Sequence, residues 1–232
     1  MTSISVEPCG DAWVMVDWHE HPNANTAARA LGAHLRHKPP SFCKEVVAGV
    51  RTLAVRLAFD ASHSSRASHR DAALECLRDL APQALQWQAP AGKKRVLPAC
   101  YDTTLAPDLD DVARATGLST QEVIAIHSGS TFLAEVIGFM PGFAYLGGLD
   151  ERLKLPRRSM PRPKVPQGSV SIAGLQTAIY PSSTPGGWHL IARCPTLLFD
   201  PARSPAALMG EGDTIHFEPI DKALFDTLWA KR

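Results

Sequence analysis

Clean alternation marks the stretch from Thr52 to Phe59. Leu53, Val55, Leu57 and Phe59 share one side and Thr52 and Arg56 the other, the two-residue period of a half-buried strand. Ala12 to Trp18 is apolar and β-prone and predicts a strand of its own. Elsewhere in this part the period lengthens. From Asn23 to Arg36, Ala27, Ala28, Leu31 and Leu35 return to one face of a helix that Asn23 or Asn25 is placed to cap. From Arg66 to Leu80 a second helix turns Ala73, Leu74, Leu77 and Leu80 inward. Strands interleaved with two helices predict a small α+β sandwich over residues 1–90, one sheet covered on one face.

Between Gln88 and Cys100 the run Ala-Pro-Ala-Gly-Lys-Lys has the composition of a linker, and the domain boundary is placed there. Beyond it, Asp108 is placed to cap a helix from Leu109 to Thr116, and Gly117 suits its end. Ser119 followed by Glu122 forms a capping-box pattern that starts a helix running through His127. The pattern then changes. Short apolar runs (Ala134 to Ile137, Ser169 to Ile172, Thr177 to Tyr180, His189 to Ile191, Thr214 to Phe217) alternate with Gly and Pro turns. Most of the 19 prolines and 16 glycines lie here, which favours a mainly-β domain over residues 91–232, a barrel or folded sandwich. Ala223 to Ala230 predicts a terminal helix that packs Leu224, Leu228 and Trp229.

Composition narrows the function classes. With 45% hydrophobic and 20% charged residues the chain is able to build ordinary globular cores. Lys and Arg total 24 against 23 Asp and Glu, so no global field draws it to nucleic acid or to a membrane, and any anion binding must be local. The helix pair from Asp108 to His127 looks superficially like a helix-turn-helix. Asp108, Asp110, Asp111 and Glu122 against Arg114 give it the wrong sign for phosphates. Cys9, Cys43, Cys76, Cys100 and Cys194 form no CxxC pair and read as small apolar residues in a reducing compartment. The first residues lack a basic and apolar leader, and no long uncharged apolar run occurs, so a cytoplasmic protein is expected.

Three segments stand out chemically. The first runs from Gly138 to Gly148 and sets Phe139, Phe143 and Tyr145 among Gly138, Pro141, Gly142 and Gly147. It reads either as a barrel corner plugged by aromatics or as a turn whose free amides face an anion. The second, from Arg152 to Lys164, carries Arg152, Lys154, Arg157, Arg158, Arg162 and Lys164 on a backbone stiffened by Pro156, Pro161 and Pro163. It is either a solvated basic loop or a preorganised carboxylate or phosphate site. The third, Tyr180 to His189, is a pocket wall or a tight turn anchored by Trp188. His127, at a helix end, either interacts with the helix terminus or serves as an acid/base. No His or carboxylate lies at metal-ligand spacing around it, so no metal is expected. GxSxG, Walker A and GxGxxG patterns do not occur, so a bound ATP would find no standard phosphate loop in this chain.

Taken in order, these segments resemble a known family. Leu97-Pro98-Ala99-Cys100-Tyr101, Ala106-Pro107-Asp108-Leu109 and His127 resemble the opening of its C-terminal domain. Gly138-Phe139-Met140-Pro141-Gly142-Phe143-Ala144-Tyr145-Leu146-Gly147-Gly148-Leu149 resembles its signature block. Pro156-Arg157-Arg158, Pro161-Arg162, Val165-Pro166-Gln167-Gly168, Gln176-Thr177-Ala178-Ile179-Tyr180 and Pro185-Gly186-Gly187-Trp188 continue it, and Gly212-Asp213 resembles its late turn. The family is that of KipI, the B-type subunit of 5-oxoprolinase (PxpB) and the first subunit of allophanate hydrolase, a carboxyltransferase-domain family. Ala178 and Ala192 stand where its members tend to carry Gly.

The resemblance implies a cyclophilin-like β-barrel behind a smaller α+β domain. It also implies a partner of the KipA type, equivalent to the C-type subunit of 5-oxoprolinase, and a third protein of the A type. Together these open 5-oxoproline to glutamate with ATP bound by the assembly, the single chain being inactive alone. On this reading Arg157, Arg162 and Lys164 contact the small carboxylate, and Gly138, Phe139, Pro141, Gly142 and Phe143 shape its pocket. Gln176, Tyr180 and Trp188 line the same pocket, and His127 is the acid/base candidate. The alternatives are a KipI-like inhibitor of a sensor histidine kinase and a carboxyltransferase or allophanate hydrolase-type component of urea metabolism.

Overall fold

The computed structural model describes residues 4–58 and 63–232, and the chain divides into two compact units, Met1–Ala91 and Gly92–Arg232. The first holds β1 (Ser5–Cys9), β2 (Trp13–Asp17), α1 (Ala24–His37), β3 (Cys43–Ala48), β4 (Thr52–Leu57) and α2 (His63–Ala84). Its sheet has the order β1-β2-β4-β3, antiparallel throughout. Val14 and Val16 on β2 and Leu53, Val55 and Leu57 on β4 point into one core, as their alternation requires. The helices cover that face, α1 against β3 and β4 and α2 against β1 and β2. Ala27, Ala28, Leu31 and Leu35 are buried on α1, and Ala73, Leu77 and Ala81 on α2.

Some expectations shift. Asn23 sits at the N-cap of α1 but its side chain makes no capping bond. The helix from Arg66 extends on past Leu80 through Pro82 to Ala84, and Phe59 lies outside the described residues. Trp18, fully buried, holds the end of that helix by donating from Nε1 to the Ala81 carbonyl at 2.9 Å.

The second unit is built on a closed barrel. Its elements are β5 (Lys94–Cys100), α3 (Leu109–Thr116), α4 (Thr120–Gly129), β6 (Thr131–Ile137), β7 (Ala144–Gly147), β8 (Arg162–Val165) and β9 (Ser169–Ala173). β10 (Gln176–Ile179), β11 (Thr184–Gly186), β12 (His189–Arg193), β13 (Thr214–Ile220) and α5 (Lys222–Ala230) follow. Seven strands close in the order β10-β7-β6-β13-β5-β12-β9. All neighbours are antiparallel except β5 and β13, which run parallel from Lys94↔Thr214 to Cys100↔Ile220. The basic, glycine-containing run from Ala89 leads at Lys94 directly into a barrel strand. β8 and β11 form a separate two-stranded ribbon.

The local signals of this half are realised in the geometry. Gly117 takes the left-handed conformation that ends α3, with φ +71°. Ser119 and Glu122 make both bonds of the capping box that starts α4. The terminal helix differs in its buried face: Phe225 is buried, whereas Leu224 is 45% exposed. Phe225 stacks on Trp229, and the Arg193 guanidinium lies 4.5 Å from the Trp229 ring, which turns α5 toward the barrel by a position.

Candidate functional site

A cavity of about 190 Å³ opens between the turn after β6 and the ribbon β8–β11. Phe139, Phe143, Tyr145, Arg157, Tyr180, Pro185, Gly186, Gly187 and Trp188 line it. Phe143 is the hub: its ring meets those of Phe139, Tyr145 and Tyr180 edge-on at centroid distances of 5.2, 4.9 and 5.6 Å. Trp188 closes the wall, 6.1 Å from Tyr145.

Backbone geometry makes this cluster. Gly142 has φ +81°, and a Cβ there would lie 2.8 Å from the Phe199 Cβ, so glycine is needed both for conformation and for space. Phe143 N–H donates to the Met140 carbonyl at 3.0 Å and Gly138 N–H to the Phe143 carbonyl at 3.3 Å, which closes the turn. Among the described residues, the amides of Phe139, Met140 and Gly142 have no protein acceptor. Phe139 itself adopts φ +74° with its ring 60% exposed at the cavity mouth. A bulky residue in that conformation stores strain of order 1 kcal/mol, which concentrates at ligand sites.

Gly186 sets the far wall. A Cβ on it would lie 2.5 Å from the Tyr180 hydroxyl, so the phenol occupies the room that glycine leaves. Burial raises the Tyr180 pKa, and the nearby Arg157 charge partly opposes that rise, so the hydroxyl is a neutral donor at physiological pH. Among the described residues, neither the Tyr180 hydroxyl nor the Arg157 guanidinium has a hydrogen-bonding protein partner. An unpaired guanidinium against neutral hydroxyls and aromatic faces is equipped to take a small anion that carries an apolar or ring portion.

Arg157, Phe139, Phe143, Tyr180 and Trp188 therefore meet in one pocket, and Gly138, Pro141 and Gly142 form the turn that carries it. The other expected residues lie elsewhere. Arg162 is not free for a ligand: its Nη2 donates to Asp108 Oδ1 at 2.6 Å, beside Arg158 Nη1 at 2.9 Å. Lys164 is exposed on β8 and does not line the cavity. Gln176 donates to Glu135 Oε2 at 3.2 Å across the space left by Gly147.

His127 is a core residue. It is fully buried, stacked on Phe217 at 4.8 Å and tilted against Phe132 at 5.0 Å. The Thr177 hydroxyl donates to the Ser171 carbonyl at 2.9 Å and so accepts from His127 Nε2–H at 3.0 Å. That leaves Nδ1 to accept the Tyr101 hydroxyl at 2.7 Å. Both ring nitrogens are used, and burial pushes the pKa down to about 3, so the ring is neutral and sealed from any substrate.

Sequence reasoning reaches Tyr145 and Gly186 only as members of their segments and misses the arginine anchor Asp108. Asp108 does not cap α3 as its position suggests; its side chain makes no cap bond and is spent on the arginines. Its apolar surroundings, Ala106-Pro107 before and Leu109 after, are the available signal that a carboxylate there is buried and paired.

Comparison with known proteins agrees with this architecture. The family model for the carboxyltransferase domain, subdomain C and D, matches residues 4–209. The B subunit of 5-oxoprolinase from Bacillus subtilis (strain 168) is 48% identical over 126 residues, which is 54% of this chain and 52% of that protein. The chain thus spans about half the length of the curated relatives it matches. The crystal structure of TTHA0988 superposes with a TM-score of 0.73 at 30% identity, covering 90% of this chain and 40% of that one. The Kluyveromyces lactis urea carboxylase shares the fold, with a TM-score of 0.75 at 18% identity over 97% of this chain and 22% of that one. With the matched span covering most of both units, the chain belongs to the carboxyltransferase domain, subdomain C and D, family.

Proposed function

We propose that this chain is the B-type subunit of an ATP-dependent 5-oxoprolinase, inactive alone and completed by a KipA-like (C-type) protein and an A-type protein. The single observation that carries the reading is the exposed Arg157 guanidinium, without a hydrogen-bonding partner among the described residues, at the mouth of an aromatic cavity of about 190 Å³. A cavity below the ~300 Å³ typical of drug-sized ligands suits a five-membered lactam with one carboxylate. The carboxylate pairs with Arg157, the ring lies against Phe143 and Trp188, and the Tyr180 hydroxyl and free turn amides meet the lactam. The identity to the B subunit of 5-oxoprolinase over about half of the chain supports the assignment.

One guanidinium and a cavity of about 190 Å³ match a single small anion better than a triphosphate, so ATP binding is assigned to the partner proteins. Within this reading the barrel is cyclophilin-like, and it serves as the rigid platform for the two pocket turns. The test is reconstitution with the two partner proteins. ATP-dependent glutamate release should require all three, and Arg157→Ala should raise KM for 5-oxoproline about 100-fold, the loss of a charge-assisted pair of ~2–3 kcal/mol. Unchanged kinetics in that variant would sink the site assignment.

A further inference from the structure

The backbone on either side of the pocket arginine is held by Asp108 and His189, neither of which lines the cavity. Arg157 has no partner of its own among the described residues, yet the chain on either side of it is fixed. The Pro156 carbonyl accepts from His189 Nε2 at 2.9 Å, and the Arg158 amide donates to the Gly187 carbonyl at 2.8 Å. Asp108 then pins the loop by its side chains. Its Oδ1 accepts from Arg158 Nη1 at 2.9 Å and from Arg162 Nη2 at 2.6 Å. Its Oδ2 accepts the Leu190 amide at 2.7 Å, and its own amide donates to the Leu190 carbonyl at 3.0 Å, which locks it to the start of β12. Only 1% of Asp108 is exposed, so these bonds form in a low dielectric and fix direction firmly.

We infer that Asp108 is the positioning residue for Arg157, with His189 as the second jaw of the same clamp. The inference rests on the reading of Arg157 as the anion-binding group. Two observations separate this from mere stability. The clamped residues immediately flank Arg157 on both sides, and the second clamp strand, His189 to Leu190, directly follows the pocket residue Trp188. The charge balance also has a purpose. Two guanidiniums share one carboxylate, and Arg158 Nε and Arg162 Nη1 remain buried without partners. The loop therefore keeps a positive excess behind Arg157, which favours an anion in front of it.

The test is a double-mutant cycle in the reconstituted assembly, read as KM and kcat for 5-oxoproline with Arg157→Ala, Asp108→Asn and both together. If Asp108 acts through Arg157, Asp108→Asn raises KM about tenfold with kcat within about twofold, and the double variant is no worse than Arg157→Ala alone. Additive effects, or an unchanged KM in Asp108→Asn beside a weakened Arg157→Ala, would overturn the positioning role while leaving the pocket reading intact. An unchanged Arg157→Ala overturns the pocket reading itself. Should Asp108→Asn not fold, His189 gives the same answer from the other jaw, since it is partly exposed and its loss is better tolerated. His189→Ala should raise KM and His189→Gln, which restores an N–H donor to the Pro156 carbonyl, should recover it. Equal KM values for the two His189 variants would count against the clamp.

Discussion

Two polar side chains in this barrel unit sit among aromatic rings, and their fates are opposite. His127 lies between Phe132 and Phe217 with both nitrogens bonded and no exposure. Arg157 faces Phe143, Tyr180 and Trp188 with its guanidinium unpaired. Aromatic surroundings are common to both, so they do not mark function. What differs is whether the protein completes the polar group itself. A buried group must be satisfied internally or forfeit ~1–3 kcal/mol, and His127 is. Arg157 is exposed at the cavity mouth, where water solvates it and a ligand anion is able to take the water's place.

The comparison breaks most visibly if His127 is removed. His127→Ala should cost about 4 kcal/mol, because it leaves a cavity and strips the buried Tyr101 and Thr177 hydroxyls of a partner. Thermal or urea unfolding measures the loss, and KM per folded assembly should stay at the wild-type value. A folded variant with normal stability and altered KM would move His127 back into the site.

Acid provides the next test. The folded pKa of His127 lies near 3, below the ~6.5 of an unfolded histidine, so the unfolded state binds the extra proton. The contribution is therefore fully present above pH ~6.5 and is lost as pH falls toward 3, with about 2 kcal/mol gone by pH 5. Urea midpoints between pH 7 and 4 should show this slope, and His127→Gln should flatten it. Parallel curves for the two proteins would exclude the imidazole as its source.

The smallest effect belongs to the pocket wall. Gly186→Ala drives a methyl against the Tyr180 hydroxyl and should weaken 5-oxoproline affinity about tenfold, or ~1.4 kcal/mol. Stability should fall by a similar amount, since the methyl also meets Val165 Cγ2 at 3.0 Å and the Tyr180 ring at 3.1 Å. Equilibrium dialysis against labelled 5-oxoproline with the assembled protein checks it, and unchanged affinity would mean that Tyr180 does not contact the ligand.

Much of this is legible locally. The alternation of Leu53, Val55 and Leu57 needs only one strand to be recognised, and Ser119 with Glu122 needs only one helix start. What escapes depends on distant partners. Lys94 to Cys100 shows no strand alternation of its own, with Val96 exposed, and its role as a strand is set by β13, more than a hundred residues later. Asp108 looks like a helix cap until Arg158 and Arg162 arrive to claim it. Arg157 and Arg162 are equivalent by composition, and only the fold shows which is spent internally. Lys164 and Gln176 enter the expected site through neighbours in sequence that are not neighbours in the cavity.

The parallel pairing of β5 with β13 has a consequence for synthesis. The sheet of the first unit has all its strands once residue 57 has emerged, and its second helix is complete by residue 84. The barrel is different: β5 lies between β12 and β13, so its pairing is complete only when the last of the barrel strands is made. At ~5–20 residues per second, translation from Cys100 to Thr214 takes roughly 5–25 s, during which an early strand of the barrel waits with an edge open. On the ribosome this makes the second unit, and with it the whole pocket, the half of the molecule that is completed last.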